Sequence, residues 1–155
     1  MSVCSSERGL LHVHRLFPWP DAEQKREVSR IERAAFPGEE AYKHDATDHS
    51  SGQHWFVVER SSMQPVSLVA YVRLLDREDG SVYLEDLAVD PEYRRGGVGA
   101  CLVSHALGSF AERRVFTRVK QDDARAEAFY TKLGFRPTGT WRTGPYGRVQ
   151  EWKLA

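Results

Sequence analysis

The chain has 155 residues, of which 22 are basic and 22 acidic, and 41% are hydrophobic. This length predicts a single domain, which we place at residues 10–155 after a flexible tail at residues 1–9. The balanced charge gives no sign of a nucleic-acid partner, and no apolar run is long enough to span a membrane or to serve as a conventional secretory signal. We therefore expect a cytoplasmic protein. Cys4 and Cys101 lack metal or redox spacing, so free thiols are expected.

Hydrophobic periodicity predicts the secondary structure along the chain. In order, it predicts a strand at 10–17, a helix at 21–36, a polar surface loop at 39–53, paired strands at 55–59 and 66–75 joined by a turn at 61–65, a strand at 82–89, a helix at 98–110, a strand at 115–119, a helix at 123–133, and strands at 136–143 and 148–154. Strands and helices alternate in the middle and hairpins flank them. The prediction is an α/β (α+β) domain with a mixed sheet and layered helices.

The most informative stretch is Ser81–Leu107. A nearly apolar strand ends at Asp90-Pro91, because proline cannot donate to a strand ladder. A glycine-rich loop follows and leads into an amphipathic helix, so the loop lies where free N–H groups and the positive dipole end meet. This arrangement predicts a phosphate cradle. Its residues are Arg94, Arg95, Gly96, Gly97, Val98, Gly99 and Ala100.

Two common phosphate-binding motifs do not fit this loop. A nucleotide P-loop would place Lys-Ser/Thr after Gly99, where the chain has Ala100-Cys101. A dinucleotide fingerprint would need a third glycine at position 102, which is Leu102. A nucleotide-phosphate-binding protein is therefore a weak alternative.

The loop instead resembles the motif of the GNAT superfamily of N-acetyltransferases, Arg/Gln-x-x-Gly-x-Gly/Ala after a strand ending in an L-A-V-like sequence. Arg94, Gly97 and Gly99 match its fixed positions, and 87–89 match the strand end. The sequence VYLED…PEYR is similar to that of the polyamine (spermidine/spermine-type) branch of the superfamily. The resemblance covers roughly residues 66–136.

The resemblance implies a mostly antiparallel sheet with helices on both faces, in which the parallel strands 82–89 and 115–119 splay apart around acetyl-CoA. It implies that backbone N–H groups of 95–100 hold the pyrophosphate. It also implies that Leu87, Ala88 and Val89 pair with pantetheine, with the Val89 N–H polarising the thioester carbonyl. A primary amine would then attack directly in a ternary complex, without a covalent enzyme intermediate.

A second family-like pattern lies in the helix that follows. Ala126-x-x-Phe129-Tyr130-x-x-x-Gly134-Phe135 is similar to the family's A-x-x-x-Y-x-x-x-G-F pattern. The similarity implies that Tyr130 faces the cofactor sulfur and protonates the departing thiolate; the alternative is a core aromatic residue. Family members commonly carry Asn where this chain has Asp123. The resemblance implies that this Asn caps the helix and hydrogen-bonds pantetheine, and Asp123 can do the capping.

Two carboxylates, Glu85 and Asp86, interrupt the buried strand. Burying a carboxylate costs several kcal/mol unless it is paired or wet. The three-residue separation of Leu84 and Leu87 predicts a β-bulge here. Glu85 is the candidate general base, with Asp86 second. The alternative is a pair of internal salt bridges, for example to Arg73 or Arg118.

The resemblance and the carboxylates favour a small cationic amine as acceptor, and a homodimer is compatible with this assignment. Acidic residues in the loop 39–48 point the same way. His44 and His49 match no established metal spacing, so no metal site is expected. The alternatives are an enzyme acting on a protein N-terminus or another amine, and a non-catalytic acyl-CoA-binding module.

Overall fold

A computed structural model describes residues 2–6, 9–16, 20–36, 52–60, 67–144 and 147–155. Eight strands and three α-helices lie in these ranges. In chain order they are β1 (Ser2–Ser6), β2 (Gly9–Leu16), α1 (Ala22–Ala35), β3 (Gln53–Arg60), β4 (Leu68–Asp76), β5 (Val82–Val89), α2 (Val98–Gly108), β6 (Val115–Lys120), α3 (Ala124–Lys132), β7 (Phe135–Gly144) and β8 (Gly147–Leu154). The predicted turn at 61–65 and nearly all of the predicted loop at 39–53 lie outside the described residues.

The strands form one sheet in the order β1-β2-β3-β4-β5-β6-β8-β7. Every neighbouring pair is antiparallel except β5 and β6, which run parallel. Helix α1 packs on one face against Trp55 and Tyr71, while α2 packs on the other face against Val72 and Leu84. This architecture confirms the predicted mixed, mostly antiparallel sheet with helices on both faces.

The structure corrects two expectations about the N-terminal segment. Residues 2–6 are not a flexible tail, because they form β1, which pairs antiparallel with β2. Cys4 and Cys101 are not free thiols, because they form a disulfide with a Cα–Cα distance of 6.0 Å. The two cysteines are separated by 97 positions in sequence, so their spacing does not predict the disulfide. The disulfide joins the edge strand to helix α2.

Helix α1 begins as its sequence predicts. Asp21 caps it by accepting from the Gln24 N–H at 2.8 Å, and the Gln24 side chain accepts from the Asp21 N–H in return. Val28, Ile31 and Glu32 form its buried stripe. Glu32 is the one carboxylate among these three residues, and burying a carboxylate is costly unless it is paired.

None of the described helices is both long and apolar enough to cross a membrane.

Candidate active site

The parallel strands β5 and β6 pair at one end only. Within the described chain their register comprises Val82 with Val115 and Tyr83 with Phe116. Beyond these pairs a cavity of about 690 Å³ opens, lined by residues of α1, β4, β5, β6, α2 and α3. Because α1 lies on the opposite face of the sheet from α2 and α3, the cavity passes through the sheet where the two strands separate.

The predicted phosphate cradle forms one mouth of this cavity. Asp90 caps a short 3₁₀ turn, Pro91–Tyr93, by accepting from the Glu92 N–H at 3.0 Å. The chain then reverses through left-handed conformations at Arg95 (φ 66°) and Gly97 (φ 78°), and Gly97 is the N-cap of α2. N–H groups in the first turn of a helix have no intrahelical acceptor. This turn therefore presents donors and a positive dipole end to the cavity, which fits a pyrophosphate.

Gly99 lies at a close contact between α2, β5 and α3. A Cβ at this position would lie 3.3 Å from Val89 Cγ2 and 3.5 Å from Phe129 Cε1. The glycine therefore lets the start of α2 lie directly against β5 and α3. Val98, Gly99 and Ala100 all line the cavity, whereas Gly96 is exposed.

The arginines of the cradle do not act alike. The Arg94 guanidinium donates to the Ala35 carbonyl at 3.2 Å and so joins the cradle to the C-terminal end of α1. Arg94 and Arg95 both line the cavity, together with further cations from β6 and α3. These additional cations are Arg118, Lys120, Arg125 and Lys132. The side of the cavity that would meet a phosphate-bearing ligand is thus strongly basic.

The C-terminal half of β5 offers a strand edge to the cavity. Leu87, Ala88 and Val89 pair with β4 through their register with Val72, Tyr71 and Ala70. All three line the cavity on the side where β5 has separated from β6. Their pairing with pantetheine stays a prediction, and the geometry leaves a suitable edge for it.

The predicted β-bulge is confirmed at Glu85. On β4, Arg73 faces Asp86 and the next residue, Leu74, faces Leu84, so Glu85 is the additional residue on β5. The insertion reverses the alternation of side chains along β5. Leu84 packs in the cluster under α2, whereas Ala88 packs in the cluster under α1.

Both carboxylates of the bulge have arginine partners, as the salt-bridge alternative predicted. Glu85 is ion-paired with Arg118 across the gap between β5 and β6. Asp86 accepts from Arg73 Nε at 2.6 Å, and the two side chains are only 10% and 8% exposed. Both carboxylates line the cavity. A role for either as a base stays a prediction.

The residues predicted on α3 also reach the cavity. Tyr130 is buried and lines it, with ring contacts to Phe129 (5.1 Å between centroids) and Phe135 (5.4 Å). Asp123 lines the cavity too and caps α3 by accepting from the Ala126 N–H at 3.1 Å. The capping role of Asp123 is confirmed, while the acid role of Tyr130 stays a prediction.

Sequence reasoning missed a pair on the opposite wall, Glu32 and Tyr71. The Tyr71 hydroxyl donates to Glu32 Oε2 at 3.2 Å, and both residues are buried and line the cavity. Burial raises the pKa of Tyr71 well above its usual range, and the charges of Glu32 and Asp86 raise it further, so the hydroxyl remains a neutral donor. The available signal was the position of Glu32 on the apolar stripe of α1, beside Val28 and Ile31.

No cluster of three or more metal-ligating side chains occurs in the part of the chain that the structure describes. His44 and His49, which the sequence already disfavoured as ligands, lie outside that part.

Comparison with known proteins agrees with this geometry. A model of the acetyltransferase (GNAT) family matches residues 14–135. The peptidyl-lysine N-acetyltransferase YjaB of Escherichia coli is 36% identical over 66 residues, which are 43% of this chain and 44% of that protein. The ribosomal protein bS18-alanine N-acetyltransferase of Escherichia coli is 40% identical over 55 residues, which are 34% of this chain and 37% of that protein. The matched stretches thus span less than half the length of these relatives.

Solved structures match over nearly the whole chain. The ribosomal-protein-S18-alanine N-acetyltransferase of Escherichia coli has a TM-score of 0.71 and 22% identity, covering 93% of this chain and 92% of that one. NAA60 of Arabidopsis thaliana, solved in complex with acetyl-CoA, has a TM-score of 0.73 and 14% identity, covering 93% and 97%. Because the sequence identity is this low, the likeness shows a shared fold and nothing about the reaction.

Proposed function

This chain belongs to the acetyltransferase (GNAT) family, and we propose that it is an acetyl-CoA-dependent N-acetyltransferase whose acceptor is a small cationic primary amine, with polyamines the leading candidates. The observation that carries the proposal is the cavity through the sheet. It combines a helix-terminal anion cradle, an open strand edge and a buried tyrosine in one space. A phosphate-bearing cofactor and an amine could enter this space from opposite faces.

Acetyl-CoA would supply the activated acetyl group. In our proposal the N–H groups of Arg95–Ala100 bind its pyrophosphate, and the edge of Leu87, Ala88 and Val89 pairs with its pantetheine arm. The Val89 N–H would donate to the thioester oxygen. These contacts use the backbone, so their strength depends on the shape of the cradle and the strand.

Proton transfer would be shared between two side chains of the same cavity. An amine arrives protonated and must lose a proton before it attacks, and we assign this step to Glu85, directly or through water, with Asp86 second. The ion pair of Glu85 with Arg118 means that the base would act beside a guanidinium. Tyr130 would donate its proton to the departing thiolate. The acetyl group passes directly from sulfur to nitrogen, so the protein forms no covalent intermediate.

The charge on the two sides of the cavity supports the proposed acceptor class. The cradle side is basic, whereas the α1 side carries Glu32 and Asp86, with Arg73 matching the charge of Asp86. The sequence of β5, which resembles that of the polyamine branch, favours a polyamine acceptor. A second candidate is a lysine side chain or an N-terminus of a protein, which the names of the matched relatives favour. A fold shared by enzymes with different acceptors does not choose between them.

Release of free CoA from acetyl-CoA with a panel of amines tests the proposal. The panel comprises spermidine, diaminobutane, butylamine, a lysine-containing peptide with a blocked N-terminus, and a peptide with a free N-terminal alanine. We expect turnover with spermidine and diaminobutane, and a KM that rises with ionic strength because ~0.15 M salt screens charges beyond about 8 Å. Turnover of the peptides alone would refute the polyamine assignment. CoA binding without release on any amine would favour the non-catalytic module.

A further inference from the structure

A side chain joins the two parallel strands at the point where their backbone pairing ends. The register of β5 with β6 ends at Tyr83 and Phe116, so Leu84 is the first residue of β5 beyond it. The Thr117 hydroxyl on β6 donates to the Leu84 carbonyl at 3.1 Å. A continued parallel ladder would supply a backbone N–H to such a carbonyl. Thr117 thus provides a donor where the strands begin to separate.

This hydrogen bond lies in the interior of the cavity wall. Thr117 is only 2% exposed, and it lines the cavity together with Leu84 and Glu85. A buried carbonyl that loses its donor is unfavourable. The Thr117 hydroxyl therefore holds the Leu84 carbonyl in one direction.

The direction of the Leu84 carbonyl affects the next residue of β5. This carbonyl belongs to the peptide group that connects Leu84 to Glu85, and because a peptide group is planar, fixing the carbonyl also fixes the direction in which the backbone enters Glu85. Glu85 is the additional residue of the β-bulge, since the register with β4 passes from Leu84 to Asp86. The ladder with β4 therefore restrains Glu85 less than its neighbours, and contacts from β6 have more influence on it.

Two consecutive residues of β6 make these contacts. Thr117 holds the backbone that leads into Glu85, and Arg118 holds the Glu85 carboxylate in an ion pair. Consecutive side chains of a strand point to opposite faces of the sheet, and Thr117 is buried whereas Arg118 is exposed. Glu85 is thus restrained at its backbone from one face and at its carboxylate from the other.

From this geometry we propose that Thr117 is a positioning residue for Glu85, whose hydroxyl fixes the Leu84–Glu85 peptide group and so directs the Glu85 carboxylate in the cavity. The inference rests on the proposed function for the role of Glu85 as the base. Because Thr117 acts through Glu85, it governs the rate of the chemical step rather than the affinity for CoA. A misplacement of ~1 Å at a reacting group can lower a rate about 100-fold.

The test is steady-state acetylation of the best amine of the panel by Thr117→Val and Thr117→Ser, each alone and combined with Glu85→Gln. Valine replaces the hydroxyl with a methyl group, whereas serine keeps the hydroxyl. Thr138→Val is the matched control. The Thr138 hydroxyl on β7 likewise donates to a carbonyl of the neighbouring strand, that of Glu151 at 3.3 Å, and neither residue lines the cavity.

We expect Thr117→Val to lower kcat by about tenfold or more while the Kd for CoA changes by less than about twofold. Thr117→Ser should keep kcat close to the wild-type value, and Thr138→Val should behave as the wild type. In the Glu85→Gln background, where the base is absent, Thr117→Val should lower kcat by less than about twofold further.

Four results would each overturn the inference where Glu85→Gln itself lowers kcat. They are a wild-type kcat in Thr117→Val, an equal loss of kcat in Thr117→Ser or Thr138→Val, a matching loss of CoA affinity, and the full loss of kcat from Thr117→Val in the Glu85→Gln background. If Thr117→Val does not fold, Thr117→Ala removes the same hydroxyl and carries the same expectations.

A crystal structure of Thr117→Val tests the inference without turnover. We expect the Glu85 carboxylate to be displaced from Arg118, and a wild-type position of Glu85 would overturn the inference. A wild-type kcat in Glu85→Gln would refute the base that the proposed function assigns, and turnover of no amine would refute the proposed reaction. In either case the position of Glu85 in this crystal structure alone decides whether Thr117 positions it.

Discussion

The two sides of the cavity are built by different means. The cofactor side uses backbone: the start of α2, with Gly97 in a left-handed conformation, and the edge of β5 beside it. The opposite wall uses side chains, Glu32 from α1 and Tyr71 from β4, which lie 39 positions apart. A backbone site depends on local glycine spacing, whereas a side-chain site exists only once distant segments pack. A backbone site can therefore be predicted from the sequence, whereas a side-chain site of this kind cannot.

The largest expected effect concerns the anchoring of the cofactor side. The disulfide between Cys4 and Cys101 ties α2 to β1 across 97 positions. Because a cross-link over about 100 residues restricts the unfolded chain strongly, Cys4→Ser should lower the free energy of unfolding by about 4 kcal/mol. Denaturant unfolding with and without reductant measures this difference.

Reductant should bring the wild type close to the stability of Cys4→Ser and should leave the variant unchanged. Ser104→Ala, at an exposed position of α2, serves as a control with wild-type stability. Equal unfolding midpoints for oxidised wild type and Cys4→Ser would show that the cross-link does not stabilise the fold.

The next effect concerns Tyr130, to which we assign proton transfer to the departing thiolate. Tyr130→Phe keeps the ring contacts with Phe129 and Phe135 and removes only the hydroxyl. We expect kcat to fall by about 100-fold or more while CoA affinity barely changes. Steady-state kinetics and CoA titration provide the two values. The control is Tyr83→Phe on β5, which removes a hydroxyl away from the cavity lining. Wild-type turnover in Tyr130→Phe would show that Tyr130 contributes only to packing.

A third change tests whether the cofactor side depends on backbone approach. Gly99→Val places methyl groups where a Cβ alone would already lie 3.3 Å from Val89. Such a residue should displace the start of α2 from the position in which its N–H groups meet the phosphates, so we expect CoA affinity to fall by about tenfold or more. The thermal shift on adding CoA measures the loss. Gly108→Ala, at the other end of α2 with open space around its Cβ position, should keep the full shift; a full shift in folded Gly99→Val would locate the phosphate site elsewhere.

The sequence predicted the local geometry around the cradle well because each of its features is local. The spacing of Gly97 and Gly99, the capping residue Asp123, and the bulge implied by Leu84 and Leu87 each follow from a few neighbouring residues. The family resemblance of the same stretch likewise predicted the parallel pairing of β5 with β6.

Three features were not predicted from the sequence because they depend on packing between distant segments. The disulfide requires β1 to lie against α2, and the contact of Arg94 with Ala35 requires the end of α1 to reach the cradle. Glu32 was visible only as a polar residue on an apolar stripe. Its partner Tyr71 could not be identified before α1 was docked on the sheet.

The smallest effect concerns the end of the sheet where β5 and β6 remain paired. There Asp76 contacts His54 Nε2 at 3.0 Å and Arg113 Nη2 at 2.8 Å. Burial disfavours its charged form, but the hydrogen bonds from His54 and Arg113 outweigh burial and hold the pKa of Asp76 below its usual value. A lowered folded-state pKa stabilises the fold above the unfolded pKa, and this stabilisation is lost as the pH falls through the folded value.

Asp76→Asn should therefore lower the free energy of unfolding at pH 7. Because the Asp76 side chain is 38% exposed, solvent screening limits the loss to less than about 1 kcal/mol. The difference from wild type should shrink as the pH falls below about 4. Denaturant unfolding across pH measures this trend, and a difference that grows on acidification would contradict a lowered pKa for Asp76 in the folded protein.

In the proposed reaction both substrates occupy one cavity at the same time, and the acetyl group passes directly between them. Initial velocities measured while acetyl-CoA and diaminobutane are varied together test this most directly. We predict double-reciprocal lines that intersect, with no acetyl group retained by the protein when acetyl-CoA is supplied alone. Parallel lines, together with a stable acetylated protein that transfers its acetyl group to the amine, would contradict direct transfer.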